Sequence, residues 1–471
     1  MLAWMLSDEQ WSAARRFAYL GTAWALVGAI YELLIAAQLA WPGFLAGSAW
    51  SSHGRLVAVS RDVWIFGACS HLLIAAVLRL APQSARGHLW GERTANLAFW
   101  LWTVAQVLAW WYLTVGWTRG RAFGEAPWPA DLLRVVAGLL LLWVVWRTVS
   151  AAAVEPPAWY FASALVAFPL VLLLGKGLFS PFANPYAGVP DALAQAFLQS
   201  GLNWLWLGIL SGGVLVALVP VAAGRAVFAA ALPAAALLGI LAFAPLAGPA
   251  AFVWGPVPFW TQTVGAVASL LLVLPAATLL VVVWTTVGGR WTAACASPTL
   301  MLFTVGAFAL AGSASVGAVH GLLGPSRVVN LTLWVEGQRL LWLGGILSIA
   351  VGAAYAMLPS LVGRALASRT LAWWQVGSTV AGWAVGGLTL LFAGLSQGAV
   401  WATGTVPFAH GAAAVSPFLV VYAVSAGLLL TGQALFAWNV FLTVDSGEPA
   451  SAAERDLSPP AQARLVGEAG T

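Results

Sequence analysis

Residues 332–364 read TLWVEGQRLLWLGGILSIAVGAAYAMLPSLVGR, and this stretch carries most of the information about the fold. Between Arg339 and Arg364 it contains no charged side chain. That interval exceeds the roughly 20 apolar residues that a helix needs to cross a bilayer. The stretch therefore predicts a membrane-spanning helix whose first turns carry two charged residues, Glu336 and Arg339.

Similar apolar runs recur along almost the whole chain. Hydrophobic residues make up 61% of the sequence and charged residues only 7%, whereas soluble domains contain about 25% charged residues. Because only helices satisfy their own backbone within lipid at these lengths, we expect an all-α polytopic membrane protein. The twelve predicted spans lie at roughly 17–41, 60–80, 95–117, 131–150, 158–176, 192–222, 226–247, 260–286, 297–322, 332–358, 369–396 and 415–444.

The distribution of charge predicts the organisation and orientation of the chain. Residues 1–445 are expected to form one membrane domain, and the polar residues 446–471 a disordered cytoplasmic tail. More arginines lie on the side of the membrane that carries the N-terminus than on the opposite side. Because arginines concentrate on the cytoplasmic side of membrane proteins, both termini are predicted to be cytoplasmic. The net charge of +5 comes mainly from these loop arginines and does not indicate a nucleic-acid partner. Cys69 and Cys295 lie in or beside spans and predict neither a disulfide framework nor a cysteine metal site.

Residues 332–364 resemble the tenth helix of the heme–copper oxidase catalytic subunit, most closely that of the cbb type. The matching pattern in that subunit is roughly T-D-W-T-x-G-H-x-H, then a Gly-rich stretch, then G-A-x-Y-x-x-x-P-x-x-x-x-R. Further similar pieces follow the family's order: GRLVAVSRDVWIF, HLWGERTANLAFWLW, EAPWPADLL, YAGVPDALAQAF and AGPAAFVWGPVPFWTQTVG. The resemblance covers nearly the whole chain and implies a twelve-helix bundle like subunit I of that family.

The resemblance also places the family's six histidine ligands, and none of these positions is a histidine here. The two ligand positions of the low-spin heme fall on Ser60 and Leu340. The proximal ligand position of the active-site heme falls on Gln338. The three copper-ligand positions fall on Ser200, Ala250 and Ala251. The family's tyrosine near copper falls on Ala244. Leucine and alanine carry no ligand atom, and serine and glutamine do not replace imidazole at these metals. We therefore expect neither heme nor copper, and no oxidase catalysis.

The histidines elsewhere in the chain do not suggest a rebuilt site. His71 lies in span two, eleven residues after Ser60, which is roughly 16 Å along a helix. It is expected to be a hydrogen-bonded histidine near the membrane interface. The segment from Trp260 to Leu331 contains no Asp, Glu or Lys, which agrees with the loss of the family's proton pathways.

Charged residues inside spans are costly and call for partners. A buried polar cluster is predicted where the family holds its low-spin heme, formed by Arg61, Asp62, Glu336 and Arg339. In one interpretation ion pairs fill the space of the heme, and in the other the cluster binds a small molecule or a proton. Glu32 and Lys176 are less informative, and Lys176 is expected to extend to the interface. Bulky side chains, together with a bound lipid or quinone, are expected to fill the remaining volume.

These observations favour a non-catalytic, cofactor-free membrane subunit in a bacterial cytoplasmic membrane. Its expected partners are other membrane subunits of a respiratory or other redox complex, and a membrane-anchored redox protein. Two alternatives stay open. One is an active oxidase or nitric-oxide reductase whose ligands lie at other positions. The other is a proton or small-molecule transporter built on the same scaffold, since a fold alone does not assign a function.

Overall fold

The computed structural model describes residues 5–84, 88–150, 155–405 and 407–458. Within these ranges the chain folds into twelve helices that are long and apolar enough to cross a membrane, which confirms the predicted fold class. In chain order they are α1 Ser12–Ala40, α2 His53–Gln83, α3 Glu92–Val115, α4 Trp128–Val149, α5 Pro156–Gly175, α6 Val189–Ala223, α7 Ala231–Phe252, α8 Phe259–Thr286, α9 Pro298–Gly321, α10 Leu333–Val362, α11 Arg369–Ala402 and α12 Ala409–Ser446.

Several helices extend beyond the predicted apolar spans. The prediction placed the start of span two at residue 60, whereas α2 begins at His53. Arg55 and Arg61 interrupt the apolar pattern there, but the backbone remains helical through both of them. Similarly, α11 continues to Ala402 instead of residue 396. Hydropathy therefore located the apolar part of these helices and missed the polar turns at their ends.

Three helices, α2, α6 and α10, form the interior of the bundle. Nearly all residues in their apolar portions are buried, and each of the three contacts the other two. The other helices expose large apolar side chains on one face, as at Trp111, Leu238 and Leu274, which suits contact with lipid. Close packing inside relies on small residues. A Cβ added at Gly306 of α9 would lie 3.0 Å from the carbonyl oxygen of Gly345 on α10.

Two of the inner helices contain a π-helical stretch, Val63–Cys69 in α2 and Gly201–Gly208 in α6. Each stretch begins within three residues after a position that the resemblance matched with a histidine, Ser60 or Ser200. The two stretches are connected, because the Trp206 indole Nε1 donates a hydrogen bond of 2.8 Å to the Ser70 hydroxyl. Such widened turns are frequent at functional sites. Here they lie in the two helices that carry Ser60 and Ser200.

The segment after α12 differs from the expected disordered tail over its first part. Backbone hydrogen bonds join Ala365 to Glu448 at 2.7 Å and Ala450 to Gly363 at 2.9 Å. A short helix, Ala452–Arg455, follows with a capping box. The expectation of disorder therefore does not hold for residues 447–458, which close over the end of α10. The remainder of the predicted tail, 459–471, lies outside the described residues.

Candidate functional site

The positions that match the low-spin heme ligands are filled by other contacts. Ser60 of α2 is buried, and its hydroxyl donates a hydrogen bond of 3.3 Å to Glu32 of α1. Leu340 of α10 is buried in an apolar cluster that includes Trp383 of α11 and Tyr422 of α12. The first position thus holds a serine bonded to a carboxylate, and the second a hydrocarbon side chain. No pair of axial ligands can form from these two residues.

The positions that match the active-site heme and copper ligands also lack suitable donors. The Gln338 side chain lies beside Gly317 of α9, where an added Cβ would be 2.5 Å from its amide nitrogen. Ser200 is buried, and its hydroxyl donates to the Phe197 carbonyl at 3.4 Å. Ala250 is buried and Ala251 is exposed. In the part of the chain that the structure describes, no group of three or more His, Cys, Asp or Glu residues is arranged to hold a metal ion. The residues present do not fit the family's heme and copper.

The structure brings together three of the four charged residues that were predicted to cluster. Arg61 Nη2 lies 2.9 Å from Glu336 Oε1, and Arg339 Nε lies 2.5 Å from Glu336 Oε2. Arg339 Nη2 also contacts Glu32 at 3.2 Å, and Arg61 Nη1 contacts Glu125 at 3.5 Å. We call these five residues the Glu336 network. It connects α1, α2 and α10 to the loop between α3 and α4.

Asp62 does not belong to the Glu336 network, which corrects the predicted four-residue cluster. Residues adjacent in a helix do not face the same side, and Asp62 points instead toward α4. Both of its carboxylate oxygens accept hydrogen bonds from Arg134, at 2.9 and 2.7 Å. Arg134 also contacts Asp131 at 3.3 Å, and Asp131 pairs with Lys176 at 2.5 Å. We call these four residues the Asp62 network.

Lys176 was expected to extend to the interface, and this expectation is wrong. Its side chain is fully buried, because the Asp131 carboxylate holds the ammonium group inside the bundle. Burial lowers the pKa of Lys176, while the neighbouring Asp131 opposes that change. Glu32 also has a larger role than the sequence indicated. It is fully buried and accepts hydrogen bonds from Ser60, Arg339 and the Tyr422 hydroxyl, the last at 2.6 Å.

The two networks differ in their balance of charge. The Asp62 network contains two carboxylates and two cations. The Glu336 network contains three carboxylates and two guanidinium groups. Glu125 is its peripheral member, and burial raises the pKa of this carboxyl, partly opposed by Arg61. Protonation of Glu125 would leave the remaining charges of the network balanced.

A chamber of about 240 Å³ lies beside the Glu336 network, between α1, α2, α10, α11 and α12. Its apolar wall is formed by leucine, isoleucine and valine side chains. Its polar lining consists of His53, Ser60, Arg61, Glu336, Arg339 and Tyr422. The Glu336 side chain keeps 35% of its surface accessible, because it faces this space. A second cavity of about 320 Å³ shares His53 and Leu39 with the chamber and lies under the loop after α1.

His71 is not an interfacial histidine, which corrects the expectation from the sequence. It is fully buried in α2, between Phe17 and Trp102, and its Nδ1 donates to the Phe66 carbonyl at 3.0 Å. Its Nε2 has no hydrogen-bond partner among the described residues. Within the described ranges it belongs to no group of three or more His, Cys, Asp or Glu residues that could hold a metal ion.

Sequence reasoning missed three residues of the two networks, Glu125, Asp131 and Arg134, and it also missed Tyr422, which donates a hydrogen bond to Glu32. The available signal was the rule that a charged residue within or beside a span needs a partner. Applied to α4, that rule would have singled out Asp131 and Arg134, which share a helix face at a spacing of three. Nothing in the sequence indicated that this face meets Asp62.

Comparison with known proteins shows similarity over the whole bundle. The family model described as cytochrome c and quinol oxidase polypeptide I matches residues 12–428. The cbb3-type cytochrome c oxidase subunit CcoN1 of Stutzerimonas stutzeri is 25% identical over 464 residues, which is 93% of this chain and 96% of that protein. The bacteroid cytochrome c oxidase subunit 1 homolog of Bradyrhizobium diazoefficiens is 26% identical over 458 residues, covering 90% of this chain and 80% of that protein.

Proposed function

Because the chain belongs to the cytochrome c and quinol oxidase polypeptide I family, we propose that it is a non-catalytic, cofactor-free relative of the oxidase subunit. It serves as an integral membrane subunit of a respiratory or other redox complex in a bacterial cytoplasmic membrane. Both of its termini face the cytoplasm, following the distribution of arginines. The protein supplies a scaffold and carries out no oxygen reduction of its own.

One observation carries this proposal: an ion pair crosses the interface between α2 and α10 beside the positions that match the family's low-spin heme ligands. Arg61 of α2 lies 2.9 Å from Glu336 of α10. Arg61 directly follows Ser60, and Glu336 precedes Leu340 by four residues. Both side chains are partly buried, with 19% and 35% of their surfaces accessible, and each neutralises the charge of the other inside the bundle. An interface fixed in this way supports a role in structure more than one in electron transfer.

The retained architecture supports a partner-binding role. The twelve spans and several loop pieces similar to those of the family are present, whereas none of the positions that match its histidine ligands is a histidine. At the end of the bundle opposite the termini, Trp254 in the connection between α7 and α8 is exposed, as are Phe259 and Trp260 in the first turn of α8. Aromatic side chains of this kind suit both the membrane interface and contact with another subunit. The partner is another integral subunit or a membrane-anchored redox protein.

Optical spectroscopy of the purified chain tests the absence of heme. We expect no Soret band, and no copper by elemental analysis, when the chain is produced without partners in a host that assembles cbb-type oxidases. The matched control is an oxidase subunit with all six histidines, purified from the same host. A stoichiometric Soret band in the chain alone would contradict the proposal and favour an active oxidase or nitric-oxide reductase.

Purification in a mild detergent from native membranes tests the role in a complex. We expect an integral or membrane-anchored protein that carries a redox group to co-purify in a fixed ratio. A monomer with no partner, combined with no effect of gene deletion on any membrane complex, would contradict this part of the proposal.

A proton or small-molecule transporter is the second candidate, and the chamber beside Glu336 favours it. Reconstitution into liposomes separates the two functions. A scaffold subunit should show no flux above that of empty vesicles. Flux that falls in Glu336→Gln but persists in Asp8→Asn, a carboxylate near the opposite end of the bundle, would favour the transporter.

A further inference from the structure

We propose that Arg225 and Arg290 bind the phosphodiester headgroup of an anionic phospholipid, in a pocket between the ends of α6 and α8. The pocket has a volume of about 270 Å³ and is lined by Arg225, Val287, Gly288, Arg290, Thr292 and Ala293. It lies at the end of the bundle that carries both termini. It is far from the Glu336 network and does not depend on whether heme is bound.

The two arginines lack carboxylate partners. The sequence from 192 to 335 contains no Asp or Glu, and its cationic side chains are Arg225, Arg290 and Arg327. Among the described residues, neither pocket arginine forms an ion pair. Two like charges that face one pocket repel each other unless an anion lies between them. The pocket therefore has the charge of an anion site.

The backbone holds one of the guanidinium groups in position. Gly288 has a φ of +97°, and a Cβ there would lie 2.5 Å from Arg225 Nη1. The Arg225 side chain thus rests on the turn that follows α8, and only a glycine leaves room for it. Arg290 lies two residues later on the same turn, and Thr292 adds a hydroxyl donor. Guanidinium groups match the oxygens of a phosphate in geometry as well as in charge.

The surroundings of the pocket identify the anion as part of a lipid. Trp284, Trp291 and Phe308 form an aromatic group beside it, with ring centroids 5.2 to 5.6 Å apart. Tryptophans of this kind mark the level of the lipid headgroups. Below them, α8 exposes Val281 and Leu274, along which acyl chains can lie. Basic pockets between membrane helices are a known means of holding acidic headgroups.

Thermal unfolding of delipidated protein with added lipid provides the test. The probes are phosphatidylglycerol, phosphatidylcholine and inorganic phosphate at matched phosphate concentration. We expect phosphatidylglycerol to raise the melting temperature of the wild type more than either other probe. In the variant Arg225→Gln/Arg290→Gln, the affinity for phosphatidylglycerol should fall roughly 30-fold, since each cation near a headgroup contributes about 1 kcal/mol.

Arg327→Gln is the matched control, because Arg327 lies in the same acid-free region and also beside a tryptophan, Trp254, but at the opposite end of the bundle. It should bind phosphatidylglycerol as the wild type does. Equal affinity in the double variant would overturn the site. An equal effect of inorganic phosphate would overturn the lipid as the source of the anion. Equal effects of the two lipids on the wild type would also overturn the proposal, and this comparison requires no variant to fold.

Discussion

Arg339 of α10 and Glu32 of α1 are joined by an ion pair of 3.2 Å, although 307 positions separate them in the chain. Glu32 has no solvent-accessible surface, and it also accepts the hydroxyl of Tyr422 on α12. A charge in this position ties three helices together. It also makes the pair sensitive to the loss of either partner, because an unpaired buried charge is far more costly than a buried pair.

The first prediction concerns this pair. Arg339→Gln should destabilise the protein by about 3–5 kcal/mol, since it leaves Glu32 buried and unpaired. The double change Glu32→Gln/Arg339→Gln should recover a large part of that loss, because both charges are then gone. Denaturant unfolding in detergent measures each variant. A double variant as unstable as the sum of the two single changes would show that the charges are not coupled.

A second prediction concerns Asp62 and Arg134. Asp62→Asn should strongly destabilise the bundle, because both carboxylate oxygens of Asp62 bind a guanidinium group that is entirely buried. The ion pair between Asp8 and Arg93 is the control, since both of its side chains are largely exposed. Asp8→Asn should change the stability little, as is usual for surface pairs. Similar losses in the two variants would contradict the special role of burial.

The third prediction is a pH dependence that originates at Glu125. Burial raises the pKa of this carboxyl above its value in the unfolded chain. Its contribution to stability is therefore fully present below the ordinary carboxyl pKa, and it is lost as the pH rises through the raised pKa. Glu125→Gln should remove this contribution. The melting temperatures of wild type and variant should differ by an amount that changes with pH above about 4. Parallel pH profiles would rule out the effect.

The fourth prediction compares two glycines inside helices. A Cβ at Gly344 of α10 would lie 2.2 Å from the ring of Trp383 on α11, whereas a Cβ at Gly377 of α11 would meet nothing within 4 Å. Gly344→Ala should destabilise the protein by about 1–3 kcal/mol through overpacking. Gly377→Ala should be neutral or stabilising by up to about 1 kcal/mol, because alanine favours the helix. Equal effects on the melting temperature would show that α10 and α11 are not tightly packed there.

The sequence was sufficient to predict the twelve helices, because each one is long and apolar enough to be read from hydropathy alone. The sequence also placed Arg61 with Glu336 and Arg339. Glu336 and Arg339 are three residues apart on α10, and the family resemblance places α2, which carries Arg61, opposite α10. It did not predict the Asp62–Arg134 pair. That contact depends on how α2 and α4 are rotated against each other, and hydropathy carries no information about rotation. Lys176 was misplaced for a related reason, because its burial depends on Asp131 of a different helix.

The backbone pairing between residues 363–365 and 448–450 has a consequence for biosynthesis. The ribosome synthesises residues 448–450 after all twelve helices, so the carbonyl of Gly363 and the amide of Ala365 lack these partners until then. The end of α10, one of the three interior helices, can form these hydrogen bonds only after residues 448–450 have left the ribosome. Chains truncated before residue 447 should therefore insert into the membrane normally and yet be preferred substrates for quality-control proteases.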